Sequence, residues 1–282
     1  MSNDSQTPPT PKKSLGQHFL TDEEVIWQIA QAVLEQVRNG KAGAGEDAAA
    51  HVVEIGPGTG ALTRELLAGH SDLTAVETDP RMVRMLEKEF GAGHPGFKVL
   101  HRDVLRTDWT EWLRPGTVLA GNLPYYATSP ILFTTLEHRR QLKAAVFMVQ
   151  KEVADRITAP PGTREYGILS VQLQLLSTPR QVLDVPPEAF DPPPNVDSAV
   201  VSLVFDRPPL PCQDRTLKMV VRTAFQQRRK KMSNALRSLL DPARFPEFDF
   251  SLRPDAWTPQ MYARLAEQIE KLARTDSGNV KT

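Results

Sequence analysis

The chain has 282 residues, 40% of them hydrophobic and 24% charged, with 34 basic and 34 acidic residues that cancel. This profile describes a globular protein with one large domain and a smaller appendage, and it excludes a disordered or fibrous chain. No apolar run approaches the roughly 20 residues a bilayer crossing needs and the start, "MSNDSQTPPTPKKS", has no apolar signal core, so a cytoplasmic protein is expected.

Polar, Pro-rich residues 1–11 and the polar end 276–282 read as mobile tails. From Asp22, "EEVIWQIAQAVLEQV" has helical spacing, with Val25, Ile29, Val33 and Val37 on one stripe. The Gly/Ala-rich stretch at 38–50 has no apolar period and reads as a loop without an assigned function. Strands and helices then alternate: "HVVEI", the helix "ALTRELLAG", "LTAVET", the helix "PRMVRMLEKEF", "FKVLHRD", "TVLAGN", the helix "SPILFTTLEH" and "AAVFMVQ". Near-continuous apolar strands in this rhythm predict an α/β domain, a parallel sheet covered by helices on both faces. Two period-two runs, "LSVQLQLLSTPRQVLDV" and "SAVVSLVF", are expected to finish the sheet, with an antiparallel edge. After Phe205, "DRPPLP" breaks the pattern and only helical spacing follows. The expected domains are therefore 12–205 for the sheet and 206–275 for a small helical domain.

Cys212 is the only cysteine, which excludes an internal disulfide and a Cys-based zinc site; no His lies beside it to make it a nucleophile. The six histidines lack metal-ligand spacing, and no metal is expected.

"VVEIGPGTGALT" is a strand, a glycine turn and a helix start, with Gly56, Gly58 and Gly60 at alternate positions. The order departs from the G-x-G-x-x-G of dinucleotide binders. Glu77 ends the second strand, where a carboxylate accepts hydrogen bonds from ribose hydroxyls, and Asp103 ends the third, where its carboxylate or the neighbouring amides meet an adenine ring. Three successive strand ends with fitting groups point to a nucleoside ligand without phosphates. S-adenosylmethionine fits better than NAD, with Glu54 near its methionine end.

The fourth strand ends in "GNLPYY". An adenine amino group is a poor nucleophile because its lone pair is delocalised into the ring. Accepting its two N–H bonds, from the Asn122 side chain and the Leu123 or Pro124 carbonyl, favours a pyramidal nitrogen aimed at a methyl group. No strong base is required, since the proton leaves after the nitrogen becomes cationic. Tyr125 is expected to stack on the base, whereas Tyr126 and Phe133 read as core padding.

These segments, with "KKSLGQHFL", "VFMVQKEVADRI", "YGILSVQLQ", "FDPPPNVDSAVV" and "FQQRRKKMSNAL", resemble the small-subunit ribosomal RNA adenine dimethyltransferases of the KsgA/RsmA type, from about Lys12 to Leu236. The resemblance implies a Rossmann-like class I methyltransferase sheet. It implies dimethylation of two adjacent adenosines in the 3'-terminal hairpin loop of 16S rRNA during small-subunit biogenesis, by a monomer. It implies S-adenosylmethionine binding by His18, Leu20, Gly56, Gly58, Glu77, Asp103 and Asn122, although the family commonly has Asn at the position of His18. It also gives Phe190, in "FDPPPNV", the role of a second aromatic clamp beside Asn122, Leu123, Pro124 and Tyr125.

Between Arg215 and Arg237 the chain carries eight Lys and Arg and no acid, a local footprint for a polyanion inside a neutral protein. Arg222, Arg228, Arg229, Lys230 and Lys231 are the candidate RNA contacts, with Lys12 and Lys13 as additions. Three rival readings are a DNA adenine methyltransferase with the same pocket, an RNA-binding assembly factor without essential catalysis, and an NAD-dependent dehydrogenase. The last is disfavoured by the glycine order.

Overall fold

The computed structural model describes residues 10–12, 17–39 and 50–278. Residues 1–9 and 279–282 of the expected tails lie outside these residues, as do most of the Gly/Ala-rich stretch and Lys13. The chain divides into two compact units, Met1–Ala154 with Arg180–Phe205, and Asp155–Pro179 with Asp206–Thr282.

The first unit begins with β1 (Phe19–Leu20) and α1 (Glu23–Arg38), which Asp22 caps by accepting the Val25 N–H. There follow β2 (Val52–Ile55), α2 (Ala61–Gly69), β3 (Leu73–Glu77), α3 (Pro80–Phe90), β4 (Phe97–His101), β5 (Thr117–Asn122), α4 (Thr128–Glu137) and β6 (Leu142–Gln150). The chain continues through α5 (Lys151–Thr158) and α6 (Ile168–Leu176) to β7 (Thr178–Val185), β8 (Phe190–Asp191) and β9 (Ser198–Val204).

Seven strands form one sheet in the order β4-β3-β2-β5-β6-β9-β7. Strands β2 to β6 run parallel, and β9 lies antiparallel on β6. Strands β2 and β3 are buried along their whole length, which requires cover on both faces and explains their mostly apolar sequences. The core joins α1 residues such as Ile29 and Val33 to Leu66 of α2, and to Val52, Val118 and Val146 of the sheet. A separate two-stranded ribbon pairs β1 with β8, Phe19 opposite Asp191 and Leu20 opposite Phe190. Strand order reverses between β2 and β5, so a crevice opens at their carboxyl ends, the usual ligand site of such sheets.

The second unit adds α7 (Asp214–Gln226), α8 (Met232–Ala235) and α9 (Pro259–Gly278). Its core is aromatic. The Tyr166 hydroxyl donates to the Trp257 carbonyl at 2.9 Å, the Tyr262 hydroxyl donates to the Pro254 carbonyl at 2.7 Å, and Phe225 stacks on Tyr262.

Two expectations are corrected here. Residues 155–179, placed within the sheet domain 12–205, belong to the second unit, and "LSVQLQLL", read as a period-two strand, lies in helix α6. Two of its three alternate polar residues are consumed by neighbouring backbone. Ser170 Oγ donates to the Arg156 carbonyl and accepts the Gly167 N–H, while Gln174 Nε2 donates to the Ile157 and Ala159 carbonyls. No helix among the described residues is long and apolar enough to cross a membrane.

Candidate active site

One cleft at the carboxyl ends of the strands is lined by His18, Leu20, Gly56, Gly58, Glu77, Asp103, Asn122, Leu123, Pro124 and Tyr125, among others. Its first wall is the turn from β2 into α2, where Gly56, Gly58 and Gly60 have φ of +67°, +55° and +81°, values that side chains resist. At Gly60 a Cβ would also stand 2.8 Å from Leu86 and Phe90, so only glycine lets α2 start this close to α3.

Glu77, at the end of β3, is 4% exposed. Its Oε1 accepts the N–H groups of Thr78 at 2.9 Å and Asp79 at 2.8 Å, and its Oε2 accepts the Gly58 N–H at 3.2 Å. Burial raises its pKa, and the three amides oppose that rise. A carboxylate offers about four acceptor sites, so one remains for a hydroxyl from the cleft. The residues present thus fit a ribose.

Glu54, in β2, is fully enclosed and accepts the Thr63 hydroxyl at 2.6 Å. Burial, with the nearby Glu77 charge adding to it, pushes its carboxyl up to about 7. Asp103 lies in the turn beyond β4, half-exposed, where its carboxylate accepts the Leu105 N–H and pairs with Arg106 at 3.4 Å.

Asp79 escaped the sequence reading. It caps α3 and binds Arg81 at 2.6 Å, an ion pair and hydrogen bonds that hold its carboxyl well below the usual carboxylate range. The same carboxylate meets Gln17 Nε2 at 3.5 Å and Lys12 Nζ at 3.6 Å, drawing the N-terminal segment across the end of β3. Lys12 thus pairs with Asp79 while its side chain stays half-exposed. The Asp-Pro pair before the third helix was the available signal.

The second wall is the Asn122–Tyr125 segment. Asn122 closes β5, and its Nδ2 donates to the His18 carbonyl at 3.2 Å. A carbonyl only accepts, so the amide has one orientation, with Oδ1 left as an acceptor. The Pro124 carbonyl already accepts the Ala127 N–H at 2.9 Å and the Thr128 hydroxyl at 3.2 Å. The Leu123 N–H donates to the Met148 carbonyl, and no donor to the Leu123 carbonyl occurs among the described residues. Of the two carbonyls the sequence left open, Leu123 is thus the available one.

Tyr125 is half-buried, with its hydroxyl 2.7 Å from Ser198 Oγ, and burial raises its pKa, which keeps the phenol neutral. The imidazole of His18 stacks against its ring at 5.9 Å and 22°.

Two aromatics are not where the sequence placed them. Tyr126 is 62% exposed and lines the cleft, because the tight turn Tyr125–Ala127 sends adjacent side chains in different directions. Phe190 is 4% exposed and packed in the core, where its strand pairs with Leu20, and it is not among the residues that line the cleft. In the second unit, Arg222, Arg229, Lys230 and Lys231 are exposed. Arg228 is instead tied down: it donates to the Thr163 carbonyl at 3.0 Å and pairs with Asp255 at 3.6 Å.

Residues 10–254 match the family model described as ribosomal RNA adenine dimethylase. A "Ribosomal RNA small subunit methyltransferase A" of Xanthomonas euvesicatoria is 46% identical over 255 residues, 89% of this chain and 91% of its own. Another of that name, from Prosthecochloris aestuarii, is 38% identical over 262 residues, 93% and 95% of the two chains. Among solved structures, a dimethyladenosine transferase of Plasmodium falciparum shares the fold with a TM-score of 0.74, at 23% identity over 90% of this chain and 98% of that one. The 23S rRNA methyltransferase ErmE follows with a TM-score of 0.67, at 25% identity over 89% and 99%.

Proposed function

The chain belongs to the ribosomal RNA adenine dimethylase family and is an rRNA adenine dimethyltransferase with the class I methyltransferase fold; from that premise we propose that it uses S-adenosylmethionine to dimethylate two adjacent adenosines in the 3'-terminal hairpin loop of 16S rRNA. The observation that carries this reading is the pair of acceptors at the end of β5, Asn122 Oδ1 and the Leu123 carbonyl, facing a cleft edged by Glu77 and Asp103. When bound, S-adenosylmethionine supplies a methyl group on a sulfonium sulfur. Glu77 offers its remaining acceptor site to the ribose, Asp103 stands at the adenine edge, and His18, Leu20, Gly56 and Gly58 complete the wall.

The target base must leave its stack to reach the cleft. Tyr125 then holds its ring, a contact typically worth about 1–3 kcal/mol. Asn122 Oδ1 and the Leu123 carbonyl take the two amino hydrogens, which aims the nitrogen lone pair along the transfer direction. Catalysis by such alignment supplies up to roughly 10 kcal/mol without an acid or base. Affinity for the substrate comes from phosphate contacts, for which Arg222, Arg229, Lys230 and Lys231 are the exposed candidates. The same reading describes a monomer at work in the cytoplasm.

The test is to incubate purified protein and labelled S-adenosylmethionine with undermethylated small ribosomal subunits, beside duplex DNA. Label is expected on two adjacent adenosines of the rRNA. Absence of rRNA label would defeat the reading, and label on the DNA would replace it with the DNA adenine methyltransferase.

A further inference from the structure

We propose that His18 is a positioning residue for Tyr125, setting the plane of its ring and fastening the segment after β8 beside the Asn122–Tyr125 wall. The inference rests on the reading above and adds a second duty for a residue already placed in the cleft.

The argument starts from how Tyr125 is held. Its hydroxyl is pinned to Ser198 at 2.7 Å. The phenolic oxygen, however, lies on the axis about which the ring rotates, so a bond at the tip fixes the reach of the side chain and leaves the ring plane free. Aromatic χ2 is a broad torsion, and something beside the ring must choose its angle. The imidazole of His18 does this, lying 22° from parallel at a centroid distance of 5.9 Å. His18 thereby flanks one face of Tyr125 in an offset stack, and a planar base is directed to the other.

A ring sets a plane only if it is itself held. The Nδ1 of His18 is 2.8 Å from the Pro192 carbonyl. Because that oxygen only accepts, Nδ1 carries the proton, and this bond fixes the imidazole. The backbone of His18 is secured twice more. Its carbonyl accepts from Asn122 Nδ2, and the next residues, Phe19 and Leu20, pair with Asp191 and Phe190. One residue thus orients the amide of Asn122 through its main chain and the ring of Tyr125 through its side chain. It joins both to a segment more than 170 positions away.

The test compares the full-length wild type with His18→Ala, His18→Asn and His18→Phe on undermethylated small subunits at saturating S-adenosylmethionine. Single-turnover methyl transfer and cofactor affinity by calorimetry are measured separately. His18→Phe keeps a ring and loses the Pro192 bond; His18→Asn keeps a donor and loses the ring. If the ring sets Tyr125, the Ala and Asn variants lose about tenfold in transfer rate at saturating cofactor and His18→Phe recovers part of it, the lost Pro192 bond accounting for the remainder, while cofactor affinity, measured apart, falls in all three because His18 also lines the cofactor wall. The proposal is overturned if Ala transfers at the wild-type rate, if Asn recovers the rate and Phe does not, or if the whole loss lies in cofactor affinity. A thermal melt of His18→Phe confirms that the rescuing variant is folded. Inactive wild type would overturn the proposed function itself, whereas active wild type with an unaffected Ala variant overturns only the role of His18.

Discussion

Glu54→Gln isolates the electrostatic cost of the cleft floor. The wild-type carboxyl is enclosed in β2, accepts one hydrogen bond from Thr63 and sits near Glu77. Its pKa is pushed from an ordinary 4.5 up to about 7. The folded state therefore keeps a proton that the unfolded state has released, so stability present below pH 4.5 is lost as pH rises towards 7. At about 1.4 kcal/mol per pH unit, the full rise costs about 3 kcal/mol, most of it between pH 5 and pH 8. Glutamine keeps an oxygen for the Thr63 hydroxyl and has no proton to lose. Urea unfolding of both proteins at pH 5, 6, 7 and 8, followed by tryptophan fluorescence, is expected to show the variant gaining about 2–3 kcal/mol on the wild type from the lowest pH to the highest. Glu77 titrates in both proteins and largely drops out of the comparison. A stability difference that does not change with pH would refute the reasoning. The same charge has a second consequence: an ionised Glu54 favours a cationic ligand, so wild-type affinity for S-adenosylmethionine should rise through about pH 7 and that of the variant should stay flat.

Asn122→Ala removes an amino-group acceptor and is expected to abolish methyl transfer while leaving subunit binding within about twofold; a variant that transfers at the normal rate would show that Asn122 does not hold the amino group. Gly121→Ala would place a Cβ 2.5 Å from the Ile55 carbonyl, between β2 and β5 at the crevice. Overpacking of this kind costs about 1–3 kcal/mol, and a thermal melt unchanged from wild type would contradict the close approach. In the basic segment the charges divide by role. Arg228→Ala breaks its contacts with Asp255 and Thr163 and should lower the melting temperature, whereas the double variant Lys230→Ala with Lys231→Ala should weaken subunit binding and reduce its salt dependence without moving the melt. The opposite pattern would exchange these assignments.

The order of β2 to β6 was legible because each element carries its own period. The parallel strands are short, mostly apolar runs, and the helices between them have one apolar stripe. Helix α6 was not legible for a reason that lies elsewhere in the chain. Leu169, Val171, Leu173 and Leu175 alternate with polar residues as in a strand. Their polar neighbours Ser170 and Gln174 nevertheless face the carbonyls of Arg156, Ile157 and Ala159, so a helix with several buried faces imitates period two. Arg228 shows the same limit for charge: the run announces its sign, and Asp255, which engages one member, stands well downstream.

The candidate site divides along the same line. Glu54, the glycine turn, Glu77, Asp103 and Asn122 to Tyr125 each stand at or just beyond the carboxyl end of a strand, and the parallel topology brings such ends together without further instruction. Their chemical identities were therefore readable one strand at a time. What holds them was not readable: Asn122 is turned by a carbonyl 104 positions away, Tyr125 is pinned by a serine 73 positions away, and His18 is fixed by a carbonyl 174 positions away. The segments that hold them resemble the family's, but the holding contacts themselves have no signature, because a backbone carbonyl has no letter in the sequence and a serine has many uses. In a site whose chemistry is alignment, the holders set the rate as much as the residues they hold. The substitutions that separate binding from transfer are thus expected at His18 and Ser198 as well as at Asn122.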